Sequence, residues 1–401
     1  MRFDEAQALE QQHMMNLYPP IRMPMVIARG EGARLWDTEG KEYLDFISGG
    51  RAVTGVGHCH PKVVEAICRQ AGMLIHVSND FYSEPQLKLA QRLSALTGGG
   101  RCFLCNSGAE ANEAAIKLAR KHGHKIGGAD KFEIVCAEKS FHGRTLATLT
   151  ATGQPKYQQG NEPLPAGFVH IPHNDVAALR GAVSERTCAV LLEPILGESG
   201  VYPATPEFLA TARALCDRVG AALILDEVQT GVGRTGKMFA YQHYDLRPDM
   251  ITLAKGLAGG VPIGAMVAWE PFASTYQPGD HASTFGGSAL PAAAALAVLD
   301  VLEEEKLVAR AASLGARLEK GLRALQSPLI TEVRACGLML GVDLGRPVAG
   351  EIRSRCAARG LLLITVGDSM LRLLPPLVLT DAQADQGLAV LREVIAEVAG
   401  G

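Results

Sequence analysis

A carboxylate and a lysine follow two apolar segments of the chain, and their types suit chemistry on an aldehyde. Asp226 follows the apolar run 222–225, and Lys255 follows the run 251–254. If both runs are neighbouring strands, both side chains lie at the carboxyl edge of one sheet, where α/β proteins bind ligands. A lysine in a partly desolvated pocket has a depressed pKa and forms Schiff bases with aldehydes. A carboxylate there is costly without a cation, so Asp226 indicates a cationic group on the ligand.

Pyridoxal phosphate meets both requirements, because it carries an aldehyde and a protonated ring nitrogen. When each residue is considered alone, a structural role explains it equally well: a surface salt bridge for Lys255 and a loop cap for Asp226. The phosphate also needs an anion site. Ser107, Gly108 and Ala109 follow a short apolar run and open a helical pattern, so they would present N–H groups at a helix N-terminus. A plain helix cap has the same pattern.

Two further groups could bind the ring of the cofactor and the carboxylates of its substrates. The segment Phe141-His-Gly-Arg144 offers an aromatic face and a guanidinium after another strand-like run. Arg372 lies in the apolar surround Leu371-Arg-Leu-Leu, where an arginine usually pairs with a carboxylate. The sequence therefore favours substrates that carry carboxylates.

Three short patterns suggest other functions. Residues 231–236 match the dinucleotide fingerprint G-x-G-x-x-G, but the glycines do not directly follow the strand that ends at Asp226. A dehydrogenase remains an alternative, and a loop that lets backbone approach closely is favoured. Cys102 and Cys105 match C-x-x-C without a second cysteine pair, which favours core residues. The segment His58-Cys-His60 precedes a proline and indicates a turn, so we predict no metal site.

The composition excludes several classes of protein. The chain has 401 residues, with 39 Lys and Arg against 42 Asp and Glu, and a formal net charge of −3. This balance argues against a nucleic-acid-binding protein. No apolar run reaches the ~18 residues that a membrane span needs. Nine cysteines, an odd number scattered through apolar stretches, are typical of reduced thiols, so we expect a cytoplasmic protein.

The order of the elements predicts an α/β fold. Apolar runs with little polar alternation are typical of strands buried on both faces of a mostly parallel sheet, and they occur at 132–136, 189–192, 222–225, 250–253 and 264–268. Helical patterns at 110–122 and 206–219 lie between them. Downstream, one helical stretch at 291–325 precedes strands at 338–342 and 371–374 and a closing helix at 381–398. We predict a large α/β domain at 46–290, a small α+β domain at 291–401, and an N-terminal segment 1–45 that joins the small domain and the rim of the site.

Seven motifs together resemble the class III pyridoxal-phosphate aminotransferases over essentially the full length. They are Asn106-Ser-Gly-Ala-Glu-Ala-Asn-Glu113, Phe141-His-Gly-Arg-Thr145, Glu193-Pro-Ile-Leu-Gly-Glu198, Leu225-Asp-Glu-Val-Gln-Thr-Gly-Val-Gly-Arg-Thr-Gly236, Ala254-Lys-Gly-Leu257, Ser283-Thr-Phe-Gly-Gly287 and Arg372-Leu-Leu-Pro-Pro376. Tyr241-Gln-His-Tyr244 and Asp280-His-Ala-Ser-Thr-Phe285 resemble the acetylornithine subgroup. The resemblance implies fold type I and transfer of the δ-amino group of N-acetylornithine to 2-oxoglutarate.

The resemblance also implies a role for each site residue. Lys255 would hold the cofactor and move the proton, and Asp226 would keep its ring nitrogen protonated. The other residues implied to bind the cofactor are Ser107, Gly108 and Ala109 at the phosphate, Phe141 against the ring, Gln229 at the phenolic oxygen, the flanking Glu227 and Val228, and Thr284 from the other subunit of a homodimer with shared sites. The residues implied to bind the substrates are Arg144 and Ser283 for the donor, Arg372 for the α-carboxylate of 2-oxoglutarate, and Glu198 as the partner of Arg372 when the donor is bound.

Several positions depart from the family pattern, among them Ser288-Ala289, where the family usually has Asn-Pro. Leu196 replaces a Gln that is usual in the family, and Ser199 replaces a usual Gly. Arg51 lies in the stretch 50–57, whose sequence also differs from the usual one. Leu196 and Ser199 flank Glu198, and the Arg51 region should border the substrate entrance. The amine donor therefore stays open, with succinylornithine, ornithine, 4-aminobutyrate or a lysine-type substrate as alternatives. A cofactor-free interaction module is the remaining alternative, and it would require Lys255 to be dispensable.

Overall fold

Helices and strands alternate through the middle of the chain in the computed structural model, which describes residues 1–18 and 22–400. The helices are α1 (Phe3–His13), α2 (Pro61–Ala71), α3 (Glu84–Leu96), α4 (Gly108–Gly127), α5 (Leu146–Ala151), α6 (Pro155–Gln158), α7 (Val176–Ala182), α8 (Pro206–Val219), α9 (Ala289–Glu304), α10 (Leu307–Arg323), α11 (Ala349–Ala358) and α12 (Asp381–Gly400). The strands are β1 (Ile27–Glu31), β2 (Arg34–Asp37), β3 (Glu42–Asp45), β4 (Arg101–Cys105), β5 (Glu133–Ala137), β6 (Phe168–Ile171), β7 (Thr187–Leu192), β8 (Ile195–Leu196), β9 (Tyr202–Pro203), β10 (Ala222–Asp226), β11 (Met250–Leu253), β12 (Gly264–Ala268), β13 (Ile330–Cys336), β14 (Met339–Leu344), β15 (Leu361–Leu362), β16 (Ile364–Thr365) and β17 (Met370–Leu373).

A seven-stranded sheet forms the centre of the protein, in the order β4-β12-β11-β10-β7-β5-β6. The pairs from β11 to β6 are parallel, and β12 runs antiparallel to both of its neighbours. Every residue of β7, β10 and β11 is buried, because helices cover both faces, as the unbroken apolar runs predict. The predicted α/β class is therefore confirmed.

Besides the two-stranded sheet β8-β9, two four-stranded sheets lie outside this centre in the described part of the chain. One has the order β1-β2-β3-β15, so the N-terminal strands pair with a strand from the C-terminal part of the chain. The other has the order β13-β14-β17-β16 and carries Arg372 on β17. Our division of the chain at residues 45 and 290 stays a proposal. Within the described residues, no helix is both long enough and apolar enough to span a membrane.

The predicted single helical stretch 291–325 is wrong, because the structure has two helices there. α9 ends at Glu304, and α10 begins at Leu307 after Lys306, whose φ of 54° lies in the left-handed region. Residues 303–306 are all exposed, whereas residues 302 and 307 are buried. Four successive residues span more than one helical turn of about 3.6 residues. A continuous helix would therefore place at least one of these exposed residues on its buried face.

The glycine-rich segment 231–236 packs against the C-terminal part of the chain. A Cβ at Gly236 would lie 2.8 Å from Ala312 Cβ, and one at Gly233 would lie 3.2 Å from Leu377. The buried guanidinium of Arg234 donates to the carbonyls of Leu338 and Pro375. No helix begins at these glycines, so the segment lacks the geometry that binds dinucleotides.

The remaining short motifs have structural partners. Cys102 and Cys105 lie on β4 as free thiols, and burial raises the pKa of each to about 12, which makes them unreactive. His58 pairs with Asp45, and the neighbouring His60 pairs with Glu305. These contacts agree with the structural interpretation of both motifs.

Candidate active site

A cavity of about 380 Å³ opens at the carboxyl edge of the seven-stranded sheet. Ten of the predicted site residues line it: Ser107, Gly108, Ala109, Phe141, Arg144, Glu198, Asp226, Val228, Gln229 and Lys255. A neighbouring cavity of about 1,330 Å³, which we call the vestibule, is lined by Arg372 and Arg51 among others. Glu198 lines both cavities. The two cavities therefore meet at this carboxylate.

Asp226 ends β10 and is held by three hydrogen bonds. Its Oδ2 accepts from Asn112 Nδ2 at 2.7 Å and from His142 Nδ1 at 2.8 Å, and its Oδ1 accepts from the Val228 N–H at 3.0 Å. Asn112 is itself fixed by a 2.7 Å bond from the Thr252 hydroxyl on β11. The carboxylate is 4% exposed, so it presents a fixed negative charge at the cavity. Asn112 and His142 were not predicted as partners of Asp226, although both lie in the family motifs quoted above.

Lys255 follows β11 and lies beside the cavity. Burial lowers its pKa, although the nearby carboxylates of Glu198 and Asp226 act in the opposite direction. Its φ of 42° lies in the left-handed region, a conformation that costs free energy and is common at functional sites. The depressed pKa increases the fraction of neutral amine, which is the nucleophilic and basic form.

The N-terminus of α4 faces the same cavity. Ser107 caps the helix, and its hydroxyl accepts the N–H of Glu110 at 3.2 Å. A Cβ at Gly108 would lie 2.8 Å from the Val228 side chain, so a larger residue would not fit without a shift. The first N–H groups of a helix have no partner within it, and its dipole favours an anion there. This end of α4 suits a phosphate group.

The buried carboxylate of Glu193 positions Phe141. Glu193 lies in one of the family motifs, but no role was predicted for it from the sequence. The N–H of Phe141 donates to Glu193 Oε1 at 2.8 Å, and the N–H of Gly197 donates to Glu193 Oε2 at 3.0 Å. Burial raises the pKa of Glu193 to about 7. Glu193 thus ties the loop after β5 to the loop after β7 and fixes one wall of the cavity.

Arg144 is exposed at the cavity and stacks on an aromatic ring. Its guanidinium carbon lies 3.9 Å from the centre of the Tyr157 ring and 5.5 Å from that of Phe141. Such cation–π contacts hold a guanidinium without neutralising its charge. Arg144 is therefore available to a carboxylate. Tyr157 gave no signal in the sequence, because it lies outside the motifs.

Glu198 and Arg372 form an ion pair where the two cavities meet. Glu198 Oε1 lies 3.2 Å from both Nη atoms of Arg372, whose side chain is 0% exposed, and it also accepts from Gln229 Nε2 at 3.2 Å. Oε2 of the same carboxylate pairs with Arg51. Burial alone would raise the pKa of Glu198, but the charges of Arg372, Lys255 and Arg51 and the hydrogen bond from Gln229 together outweigh burial and hold that pKa at about 2.

Three predicted residues line neither the inner cavity nor the vestibule. Glu227 points to the turn after the glycine-rich segment, where it accepts the N–H groups of Ala240 at 2.9 Å and Tyr241 at 2.7 Å. Ser283 accepts from Asn106 Nδ2 at 3.1 Å, directly beside the start of α4. Thr284 is exposed on the surface.

Comparison with known proteins identifies the family. The family model Aminotransferase class-III matches residues 18–395. An acetylornithine aminotransferase of Gloeobacter violaceus is 50% identical over 98% of each chain. Among solved structures, an ornithine aminotransferase of Toxoplasma gondii ME49 has a TM-score of 0.95 at 33% identity, over 99% of this chain and 96% of that one. An N-acetylornithine aminotransferase of Stenotrophomonas maltophilia K279a has a TM-score of 0.83 at 39% identity, over 98% and 99%.

These matches confirm the resemblance and, with it, the predicted fold type I. They extend over nearly the whole chain, and the cavity lies where the motifs of the family meet. The chain belongs to the class III aminotransferases, which are pyridoxal-phosphate-dependent transaminases.

Proposed function

We propose that this enzyme transfers the δ-amino group of N-acetylornithine to 2-oxoglutarate. The products are N-acetylglutamate 5-semialdehyde and glutamate, which is a step of arginine biosynthesis. The observation that carries the proposal is the pair of Glu198 with the buried Arg372 beside Lys255. The relative at 50% identity is named acetylornithine aminotransferase, which supports this donor.

Free ornithine is the second candidate donor. The solved structure with a TM-score of 0.95 is an ornithine aminotransferase, but it is only 33% identical. Both donors carry a δ-amino group on a CH₂ carbon, so the chemistry at Lys255 is the same for both. They differ at the far end, where N-acetylornithine has an amide and ornithine has a second ammonium group. Succinylornithine, 4-aminobutyrate and lysine-type donors are further alternatives within the same chemistry.

The residues of the cavity fit pyridoxal phosphate. Asp226 offers a fixed carboxylate for a protonated ring nitrogen, and the first turn of α4 offers a phosphate cradle in which Gly108 leaves no room for a side chain. The Oε1 atom of the buried Gln229 has no hydrogen-bond partner in the described protein. A ligand with polar atoms would satisfy the Gln229 amide. Phe141 supplies the face against which we expect the ring to stack.

When bound, pyridoxal phosphate supplies an aldehyde that captures the amine and a ring that withdraws electrons from the neighbouring carbon. Lys255 would accept the proton that leaves the amine-bearing carbon of the donor. Its lowered pKa favours the neutral form that this step requires. Asp226 would hold a proton on the ring nitrogen, because its carboxylate is fixed in place by Asn112 and His142.

Arg144, Glu198 and Arg372 would sort the two substrates. The donor reacts at a CH₂ carbon and has no carboxylate there, so the charge of Arg372 must be masked, and Glu198 masks it. The distal carboxylate of the donor would bind Arg144. 2-Oxoglutarate has a carboxylate next to its reacting carbon, and this group would displace Glu198 from Arg372.

The variant Glu198→Ala is expected to affect the two half-reactions unequally. Without Glu198, the buried cation of Arg372 has no carboxylate partner, so the rate of reaction with N-acetylornithine should fall by about 10-fold or more. The reaction with 2-oxoglutarate should stay within about 3-fold, since its carboxylate pairs with Arg372 directly. Stopped-flow absorbance of each half-reaction alone measures both rates.

Glu332→Ala is the matched control, because Glu332 pairs with the buried Arg334 at a distance from the cavity. It should leave both half-reactions unchanged. Equal losses in both half-reactions of Glu198→Ala would contradict the masking role.

We also propose a homodimer in which Thr284 completes the phosphate site of the other subunit. Thr284 is exposed beside an apolar surface. The two segments of this surface are in contact, since the rings of His76 and Phe285 lie 5.1 Å apart and Asn79 Nδ2 donates to the Ser283 carbonyl at 2.8 Å. This apolar patch consists of Met73, Leu74, Ile75, Phe81, Tyr82 and Phe285, each at least 42% exposed. Exposed patches of this kind mark interfaces.

The double variant Ile75→Glu/Phe285→Glu is expected to dissociate the dimer. Two charges in the centre of an apolar interface should raise the dimer dissociation constant by about 100-fold or more. Sedimentation velocity across a dilution series measures it. Ile126→Glu is the control, because Ile126 is 50% exposed on α4 outside the patch. A wild-type protein that sediments as a single chain would contradict the proposal.

We propose the cytoplasm as the compartment of the enzyme. All nine cysteines are free thiols, which suits a reducing environment.

A further inference from the structure

Arg51 gives Glu198 a second guanidinium partner, on the opposite carboxylate oxygen from Arg372. Oε1 of Glu198 accepts hydrogen bonds from Arg372 and Gln229, whereas Oε2 accepts one from Arg51 Nη1. Position 51 is also one of the departures from the family pattern. The carboxylate therefore lies between two arginines at the boundary of the two cavities.

The backbone of the loop that carries Arg51 is strained and held in one conformation. The φ angles are 46° at Ser48, 67° at Gly49, 122° at Gly50 and 63° at Ala52. Two of these residues are not glycine, so the left-handed conformations cost free energy. The carboxylate of Asp45, which is fully buried, accepts the N–H of Gly49 at 2.8 Å and holds the loop. The fold thus fixes where the side chain of Arg51 begins.

The two arginines differ in their freedom to move. Arg372 is 0% exposed, and its Nη1 also donates to the Gly197 carbonyl. The side chain of Arg51 is 45% exposed in the vestibule. When an incoming carboxylate binds Arg372, Glu198 must move, since Arg372 is enclosed. Arg51 lies on the open side of Glu198 and can move with it.

We propose that Arg51 is a positioning residue, which draws Glu198 away from Arg372 and keeps it neutralised while Arg372 binds the α-carboxylate of the oxo acid. The inference rests on the proposed two-substrate function. Without Arg51, a largely buried carboxylate would have to leave its main cation with no replacement, which is strongly unfavourable. Arg51 thus makes the exchange of carboxylates on Arg372 possible at low cost.

The test compares Arg51→Met with wild type in each half-reaction separately. The second half-reaction starts from enzyme loaded with pyridoxamine phosphate and mixed with 2-oxoglutarate, so it needs no amine donor. We expect its second-order rate constant to fall about 10- to 100-fold, mainly through weaker 2-oxoglutarate binding. The first half-reaction, with N-acetylornithine, should change less than about 3-fold, because Glu198 then stays on Arg372. Arg51→Lys should recover part of the loss, since it restores the charge.

Arg29→Met is the matched control. Arg29 also lines the vestibule, but it stacks on Trp36 at 3.6 Å and pairs with Glu31. This variant removes one positive charge from the vestibule without touching Glu198, so both half-reactions should keep their wild-type rates. A loss equal to that of Arg51→Met would show general attraction of anions by the vestibule and overturn the proposal.

A double-mutant cycle separates action through Glu198 from direct binding of the oxo acid. In the Glu198→Gln background, Arg51→Met should cause no further loss toward 2-oxoglutarate, because there is no carboxylate left to draw away. A loss that persists in this background would mean that Arg51 binds the substrate itself, and it would overturn the proposal. An equal loss in both half-reactions of Arg51→Met would do the same. Failure of wild type to react with N-acetylornithine would refute the donor and leave the result for Arg51 standing.

Discussion

Lys255→Ala is expected to lower the rate of transamination by about 10⁴-fold or more, since in the proposed mechanism this one residue both holds the cofactor and moves the proton. Lys255 is the lysine that lines the cavity at the carboxyl edge of the sheet, and burial lowers its pKa. Steady-state turnover of N-acetylornithine with 2-oxoglutarate measures the loss. The visible absorbance of the bound cofactor provides a second measurement, and it should shift because the cofactor no longer has its lysine partner.

Lys156→Ala is the control for this variant, because Lys156 lines the vestibule and not the inner cavity. It should keep its activity within about 3-fold, as surface substitutions usually do. The thermal midpoints of both variants identify any loss of folding. A Lys255→Ala enzyme with turnover near wild type would refute the assigned role and revive the cofactor-free alternative.

Asp226→Asn is expected to lower turnover by about 10³-fold while it leaves the fold intact, because it removes a fixed charge from the reacting centre. The neutral amide no longer stabilises a proton on the ring nitrogen. In either orientation its NH₂ group would face donors to the present carboxylate: Asn112 Nδ2 and His142 Nδ1 on one side, or the Val228 N–H on the other. Single-turnover rates measure the chemical effect, and the affinity for pyridoxal phosphate should fall with them.

Asp249→Asn separates the loss of this particular charge from the loss of any partly buried, hydrogen-bonded aspartate. Asp249 accepts the Leu223 N–H and an Arg213 Nη1 donor, each at 2.7 Å, and does not line the cavity. The variant should lower stability by about 1–3 kcal/mol and leave the single-turnover rate of the folded enzyme unchanged. Equal rate losses in both variants would contradict a specific role for Asp226.

The sequence was most informative where a functional residue lies at the end of an apolar strand or directly after it. β10 and β11 are apolar and lie next to each other in the sheet, so the side chains that end them had to meet at one edge. For the same reason Ser107, at the start of α4 after β4, could be assigned to that edge. These positions depend on local pattern and on the geometry of parallel strands, and both can be read from the chain.

Contacts between distant segments could not be predicted. Asn112 and His142 reach Asp226 from a helix and a loop that are 114 and 84 residues away. Glu193 holds Phe141 from 52 residues away. Nothing in the spacing of residues specifies such pairs. Only their presence in the quoted motifs pointed to them.

Arg51 shows the same limit in another form. The sequence marked it as a departure from the family pattern, but its contact with Glu198 spans 147 residues. The break between α9 and α10 was missed because the composition of both helices is similar. Only the burial of Leu302 and Leu307 around an exposed polar run explains it.

The visible spectrum of the purified enzyme tests the central claim most directly. Pyridoxal phosphate bound to Lys255 should absorb in the visible range, and N-acetylornithine without 2-oxoglutarate should bleach this absorbance. Free ornithine and 4-aminobutyrate should bleach it far more slowly. Faster bleaching by either of them would contradict the proposed donor, and the absence of visible absorbance after addition of pyridoxal phosphate would contradict the site itself.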